Sequence, residues 1–222
     1  QIKNGKMKLL KEESAVSMTD PDTLTNFIKW STKNYPANRN QLIFWDHGGG
    51  SISGFGYDEK FKNTGSMNLA EINQALKKAG VTYDFVGFDA CLMATLENAL
   101  MLTPYADYMI ASEETEPGVG WYYTDWLNAL SENTSMPTIE IGKNIVDDFV
   151  DTCASKCRGQ KTTLSVVDLA ELEETVPEEF KAFSKSASEL IQDNEYQTVS
   201  DARYNTREFA ASNAIDQVDL VH

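Results

Sequence analysis

Two short stretches of this chain carry the residue types from which an acyl-transfer site can be built. In residues 41–51, QLIFWDHGGGS, an apolar run from Leu42 to Trp45 breaks into Asp46, His47 and three glycines, Gly48, Gly49 and Gly50. In residues 83–90, YDFVGFDA, a second apolar run leads straight into Cys91. A thiol beside an imidazole is an activated nucleophile: the thiolate attacks a carbonyl carbon and the imidazolium protonates the leaving group. The glycines after His47 offer bare backbone N–H groups that can hold an oxyanion, with Gly48 the nearest. The only other histidine, His222, is the last residue, so histidine chemistry inside the fold belongs to His47. Each residue also has a reading without chemistry. A free cysteine is most often a small core residue, and a histidine after a strand is often a structural hydrogen-bonder. Both residues stand at the end of an apolar run, and that coincidence weakens the bland readings together.

The elements that must position them follow from the pattern of apolar residues. Runs of β-branched and aromatic residues bounded by glycine read as buried strands, which gives strands at 42–45, 83–90, 105–112 and 162–167. Asn4-Gly5 marks a hairpin within residues 1–13. Asp20, Pro21 and Asp22 mark a helix start that runs to Tyr35-Pro36. A second amphipathic helix spans 68–78, stopped by Gly80. Residues 92–102 are apolar nearly all round and read as a buried helix that Cys91 opens, where the macrodipole would lower the thiol pKa. Further helices are expected from Pro137 to about Lys156 and over 178–191. Residues 50–65 read as an exposed loop, long enough to be functional or processed. Helices alternating with buried strands define an α/β protein with a largely parallel sheet between helical layers. Ligands gather outside the carboxyl ends of such strands, where His47 and Cys91 meet if their strands are neighbours.

The 222 residues, 41% of them apolar, suffice for one sizeable core, and no repeat or linker divides residues 1–222 into two domains. The net charge of −15 argues against nucleic acid as a partner, because that footprint needs clustered Lys and Arg. No apolar run reaches the ~20 residues of a membrane-spanning helix. Three cysteines make no disulfide framework, and Cys153 and Cys157, four apart, are neighbours on one helix face rather than a usual disulfide. No leader segment is present; the chain starts on Gln1 and stops on VDLVH, so it reads as a fragment cut at both ends.

The combination of WDHGGG, GFDACLMA with a helix between them, and ASEE followed by PGVGWYY resembles the clostripain family of cysteine peptidases, in the same clan as caspases, legumains and gingipains. His47-Gly48 and Ala90-Cys91 stand at the clan's two signatures, and the resemblance spans roughly residues 20 to 170. It implies a caspase-like α/β/α sandwich with a mostly parallel central sheet. It also implies a Cys–His dyad: His47 as general acid/base, Cys91 as nucleophile, and the amides of Gly48 and Cys91 as the oxyanion hole. The family cuts after Arg or Lys, and a buried cation needs a carboxylate partner. Asp89 is the best match to the family's acidic pocket residue, with a strand-end aspartate bonding nearby amides as the lesser alternative. Ser112, Glu113 and Glu114 could line the same pocket or form a solvated loop, and Trp121 and Tyr122 could wall the site or belong to the core. Family members are commonly zymogens, and Lys60 and Lys62 in the long loop suit self-processing by an enzyme that cuts after lysine.

What the resemblance implies is therefore a bacterial endopeptidase, secreted or at the cell envelope, acting on polypeptides with Arg or Lys before the scissile bond through a thioester. No cofactor is required; calcium is possible but not placeable, because no EF-hand pattern is present. Two departures stand out. The family's first strand, normally upstream of the hairpin, is missing, and the part past about residue 170 matches no assignable motif. Three alternatives remain: a transpeptidase using the same dyad, a catalytically silent caspase-like binding module, and a nucleotide-binding α/β domain. The last is disfavoured because HGGGS has neither P-loop nor GxGxxG spacing.

Overall fold

Asn4 and Gly5 both take positive φ, 51° and 67°, and fold Ile2–Lys3 (β1) back onto Lys6–Met7 (β2) in the computed structural model, which describes residues 1–213 and 215–222. Asp20 then caps the first helix by accepting from the Asp22 amide, and Pro21–Asn34 (α1) ends where the Tyr35 amide returns to Ser31. The chain continues through Gln41–Trp45 (β3) and the single turn Gly50–Ser53 (α2) to Leu69–Ala79 (α3). A reciprocal capping box of Asn68 and Glu71 starts α3, and left-handed Gly80 stops it. Such a cap contributes about 1 kcal/mol. Tyr83–Asp89 (β4), Leu96–Leu102 (α4) and Ala106–Ala111 (β5) follow, then Tyr123–Glu132 (α5), Thr138–Lys156 (α6) and Ser165–Asp168 (β6). The last elements are Leu169–Gln192 (α7), Tyr196–Asn205 (α8), Glu208–Phe209 (β7) and Gln217–Val218 (β8).

The central sheet has the order β3-β4-β5-β6. Strands β3, β4 and β5 run parallel, and β6 lies antiparallel on the edge beside β5. Alternation along β4 feeds two cores. Val86 and Phe88 point to one face, where Phe44 stacks on Phe88 at 4.9 Å and α1, α3, α4 and α7 cover the sheet. Phe85 points to the other, against Trp121, Trp126 and the Ile141–Ile145–Phe149 stripe of α6. The protein is thus a sandwich of helices about a mostly parallel sheet, as expected.

Several expectations give way for stated physical reasons. The expected helix 92–102 begins only at Leu96: Leu92 takes φ +66°, and Thr95 caps α4 by accepting from the Asn98 amide. Leu92 and Met93 are apolar because they plug the core, not because they line a helix face. Helix α7 starts at Leu169 and carries Pro177 inside it, where the sequence suggested a start near that proline. The aromatic cluster after Gly120 enters a helix, α5, that the pattern did not reveal. The segment 50–65 is only partly an exposed loop, because Phe55 is buried against Phe44 and Phe88 and bridges Gly48 to Met67. Lys60 and Lys62 remain on its exposed part.

Candidate active site

In the parallel ladder of β3 and β4, Trp45 is the partner of Asp89. His47 and Cys91 each stand two residues further on, so the ladder carries both to the same end of adjacent strands. The two strand ends are held tightly together, since a Cβ added to Gly48 would lie 2.1 Å from the Cys91 carbonyl oxygen. Only glycine permits that approach. Gly48 also bridges Phe55, with the hydrogen bonds supplied by the Gly49 amide to Gly54 and the Gly56 amide to the His47 carbonyl. The Gly48 N–H takes no part in that pairing, and His47 is exposed at the rim.

Cys91 is half-buried. Its Sγ accepts from the Glu116 amide at 3.2 Å and donates to the Glu116 carbonyl at 3.8 Å. The expectation of a thiol acidified by a helix start does not hold, because no helix begins at Cys91. Burial pushes the Cys91 thiol up instead; the Glu116 amide opposes this, and negative charge on Glu116, when it ionises, adds to it.

Asp89, 4% exposed, points to the face covered by α5 and α6. It accepts from the Trp121 amide at 3.1 Å and the Tyr123 hydroxyl at 2.9 Å. Trp121 is buried, its indole packed where a Gly87 side chain would stand, and its Nε1–H donates to Glu116 Oε1 at 3.4 Å. Glu116 is a site residue that sequence reasoning missed. It faces Asp89, and burial, followed by the Asp89 charge, raises its pKa to about 9. No N–H or O–H among the described residues reaches Glu116 Oε2. A proton held on Glu116 and donated to Asp89 satisfies both groups: Asp89, with two other donors, keeps the charge, and Glu116 keeps the proton. The only local signal was a glutamate just before the Pro117-Gly118 turn, which reads equally well as a solvated loop residue.

This pair gives stability a definite pH dependence. The folded protein holds the Glu116 proton up to about pH 9, while an unfolded glutamate releases it near 4.5. The stabilisation is therefore full below the unfolded pKa and is lost as pH rises through the folded one. Glu116→Gln, which keeps the shape without the titration, is expected to flatten the fall in melting temperature between pH 6 and pH 9. Parallel wild-type and variant curves would contradict the assignment.

The other pocket candidates are on the loop whose Ser112 and Glu114 carbonyls accept from the Ala94 and Leu92 amides, and their side chains have partners other than Asp89. Ser112 is fully buried within its own loop, donating to the Glu114 carbonyl and accepting from the Glu114 amide. Glu113 accepts from Ser165 Oγ at 2.6 Å, and Glu114 accepts from the Ala210 amide at 3.0 Å and pairs with Lys161. The acid brought against Asp89 is Glu116, not Glu113 or Glu114. Among the described residues no helix is long and apolar enough to cross a membrane.

A mostly parallel sheet between helices, presenting an imidazole and a thiol at neighbouring strand ends, has the architecture of the caspase-like class. Within that class the chain belongs to the clostripain family, whose model matches residues 3–221. The chain is 31% identical over 124 residues to clostripain of Hathewaya histolytica, a match covering 48% of this chain and 23% of that protein. A secreted C11 cysteine protease of Bacteroides thetaiotaomicron, solved with an irreversible peptide inhibitor, is 29% identical with a TM-score of 0.58, covering 69% of this chain and 46% of that one. An inactive zymogen C11 protease of Parabacteroides distasonis shares the fold at 24% identity and a TM-score of 0.60, covering 78% of this chain and 47% of that one. The chain thus spans under half the length of these relatives.

Proposed function

We propose that this protein is a cysteine endopeptidase that cuts polypeptides after Arg or Lys. The observation that carries the reading is the ladder register that brings His47 and Cys91 to one end of adjacent strands, with a buried carboxylate pair beside them. His47 takes the Cys91 proton, and Sγ attacks the scissile carbonyl carbon. The oxyanion is held by the Gly48 and Cys91 amides. The imidazolium then protonates the departing amine, leaving a thioester, and water activated by His47 releases the acid and the thiol. Sulfur and imidazole suffice for every one of these steps.

The cationic side chain before the cut enters beside Asp89 and Glu116. Its charge replaces the proton between them, so the pocket is neutralised by a proton when empty and by substrate when full. The secreted Bacteroides relative supports placing the substrates outside the cytoplasm. Initial rates on fluorogenic peptides that differ only before the cut (Arg, Lys, Asp, Asn, Leu) test this. Turnover is expected for Arg and Lys, and Asp89→Asn should lower it by roughly a hundredfold, as expected when a buried ion pair loses one partner. A retained basic preference in that variant would move the pocket charge to Glu116.

Self-processing is the companion expectation. Lys60 and Lys62 are exposed on a segment whose ends are tied by Asp58 to the Met18 amide and by Thr64 to Ser17 and Thr19. The active chain is expected to appear as two fragments on denaturing gels, and the Lys60→Gln, Lys62→Gln double variant as one. A single band in a fully active wild type would refute it.

A further inference from the structure

A groove of about 600 Å3 lies between α7, the start of α4, α2 and the β7–β8 hairpin. It is on the sheet face opposite Asp89 and Glu116, since α4 and α7 pack into the Phe44–Phe88 core and Trp121 into the other. Its apolar wall includes Phe180 and Phe183 of α7 and Ile52 of α2, with Phe183 62% and Ile52 74% exposed. The charged groups among its described lining residues are Glu97, Glu113, Asp216 and Asp219, of which Asp216 is paired with Arg203 at 2.8 Å. Glu113 is the most telling of them. Its Oε1 accepts from Ser165, while its Oε2 is buried with no hydrogen-bond partner among the described residues. A buried carboxylate oxygen without a donor is costly, and an incoming ammonium or guanidinium group would satisfy it.

The groove adjoins the reactive residues along the chain. Ser51 lies four residues after His47, Ala94 three after Cys91, and Glu113 three before Glu116. Cys91 thus contacts Glu116 on one side and stands three residues before a groove-lining position, Ala94, on the other. A polypeptide with its basic side chain against Asp89 and its scissile carbonyl at Cys91 carries its next residues toward the groove.

We propose that this groove seats the residues following the cut, selecting apolar side chains accompanied by a Lys or Arg; this rests on the peptidase reading above. The acidic rim excludes anionic headgroups and favours a cationic, apolar peptide.

The test uses two internally quenched peptides identical up to the cut and continuing as Leu-Phe-Lys or Ser-Asp-Ser. An aminocoumarin amide, with no amino acid after the cut, reports basal activity. The wild type is expected to favour the Leu-Phe-Lys peptide about tenfold or more in kcat/KM. Phe183→Asp, at an exposed position, should erase that preference and leave aminocoumarin release unchanged. Equal rates in the wild type, or a preference that survives Phe183→Asp, would overturn the proposal. Fluorescence anisotropy of a labelled Leu-Phe-Lys peptide on Cys91→Ala separates the two readings. Binding that Phe183→Asp abolishes, where the wild-type protein shows no turnover, would count against the peptidase and sustain the groove; wild-type turnover without such binding would do the reverse. A dimer in sedimentation velocity that Phe183→Asp splits would assign the groove to a second copy and overturn the proposal.

Discussion

Cys91→Ala is expected to reduce peptide turnover to background, a loss of about ten-thousand-fold or more, because the covalent route disappears with the sulfur. His47→Ala should cost roughly a hundred- to ten-thousand-fold, the usual worth of a general acid–base group. The two losses should not add, since the residues act in the same step. The structure sharpens this expectation. Burial keeps Cys91 a thiol at rest, so its ionisation depends on transfer to a base. Alkylation of Cys91 by iodoacetamide should therefore rise toward alkaline pH in the wild type and slow at neutral pH in His47→Ala. His47 has no competitor at the sheet edge, because His222, the only other histidine, contacts the Arg207 amide in the C-terminal segment. A His47→Ala variant with wild-type rates would remove the dyad from the mechanism; a turnover-competent Cys91→Ala would remove the nucleophile.

Gly48→Ala is expected to lower kcat/KM by about a hundred- to a thousandfold while the sheet and helices persist. The added methyl would sit 2.1 Å from the Cys91 carbonyl oxygen and 3.0 Å from Met93 Cγ. The first is a backbone atom, so no rotamer change relieves the clash and one strand end must move. A displacement near 1 Å between reacting groups costs on the order of a hundredfold, and a misplaced oxyanion donor costs a hundred- to a thousandfold. Far-UV circular dichroism should change little, while the rate of Cys91 alkylation should shift with the turnover. A Gly48→Ala enzyme within threefold of wild type would show that neither the approach of the two strands nor the Gly48 amide matters to the reaction.

Both predictions concern residues whose local sequence already marks them. The runs Leu42–Trp45 and 83–90 are short, apolar and glycine-bounded, and such runs form strands whatever surrounds them. Asp20 with Pro21, Asn68 with Glu71, and Gly80 are caps whose partners lie within four residues, so the sequence carries the whole interaction. Reading failed where an apolar residue had two possible reasons. Leu92 and Met93 have the composition of a buried helix but serve as a plug, and only the φ of Leu92 and the Thr95 cap separate the two. Pro177 resembles a helix start and lies inside α7.

The sequence by itself marked His47 and Cys91 as the candidates for chemistry and placed each just past a β-segment, because strand propensity, turns and caps act over a few neighbouring residues. Only the tertiary structure decided that those strands are adjacent and in register, that Glu116 rather than Glu113 or Glu114 meets Asp89, and that Glu113 faces a groove on the far side. These outcomes depend on which distant segments exclude water together. Asp89 and Glu116 are 27 positions apart, and nothing local to either marks the burial that couples them. Desolvation is a property of the assembled structure, and it sets the protonation of the Asp89–Glu116 pair.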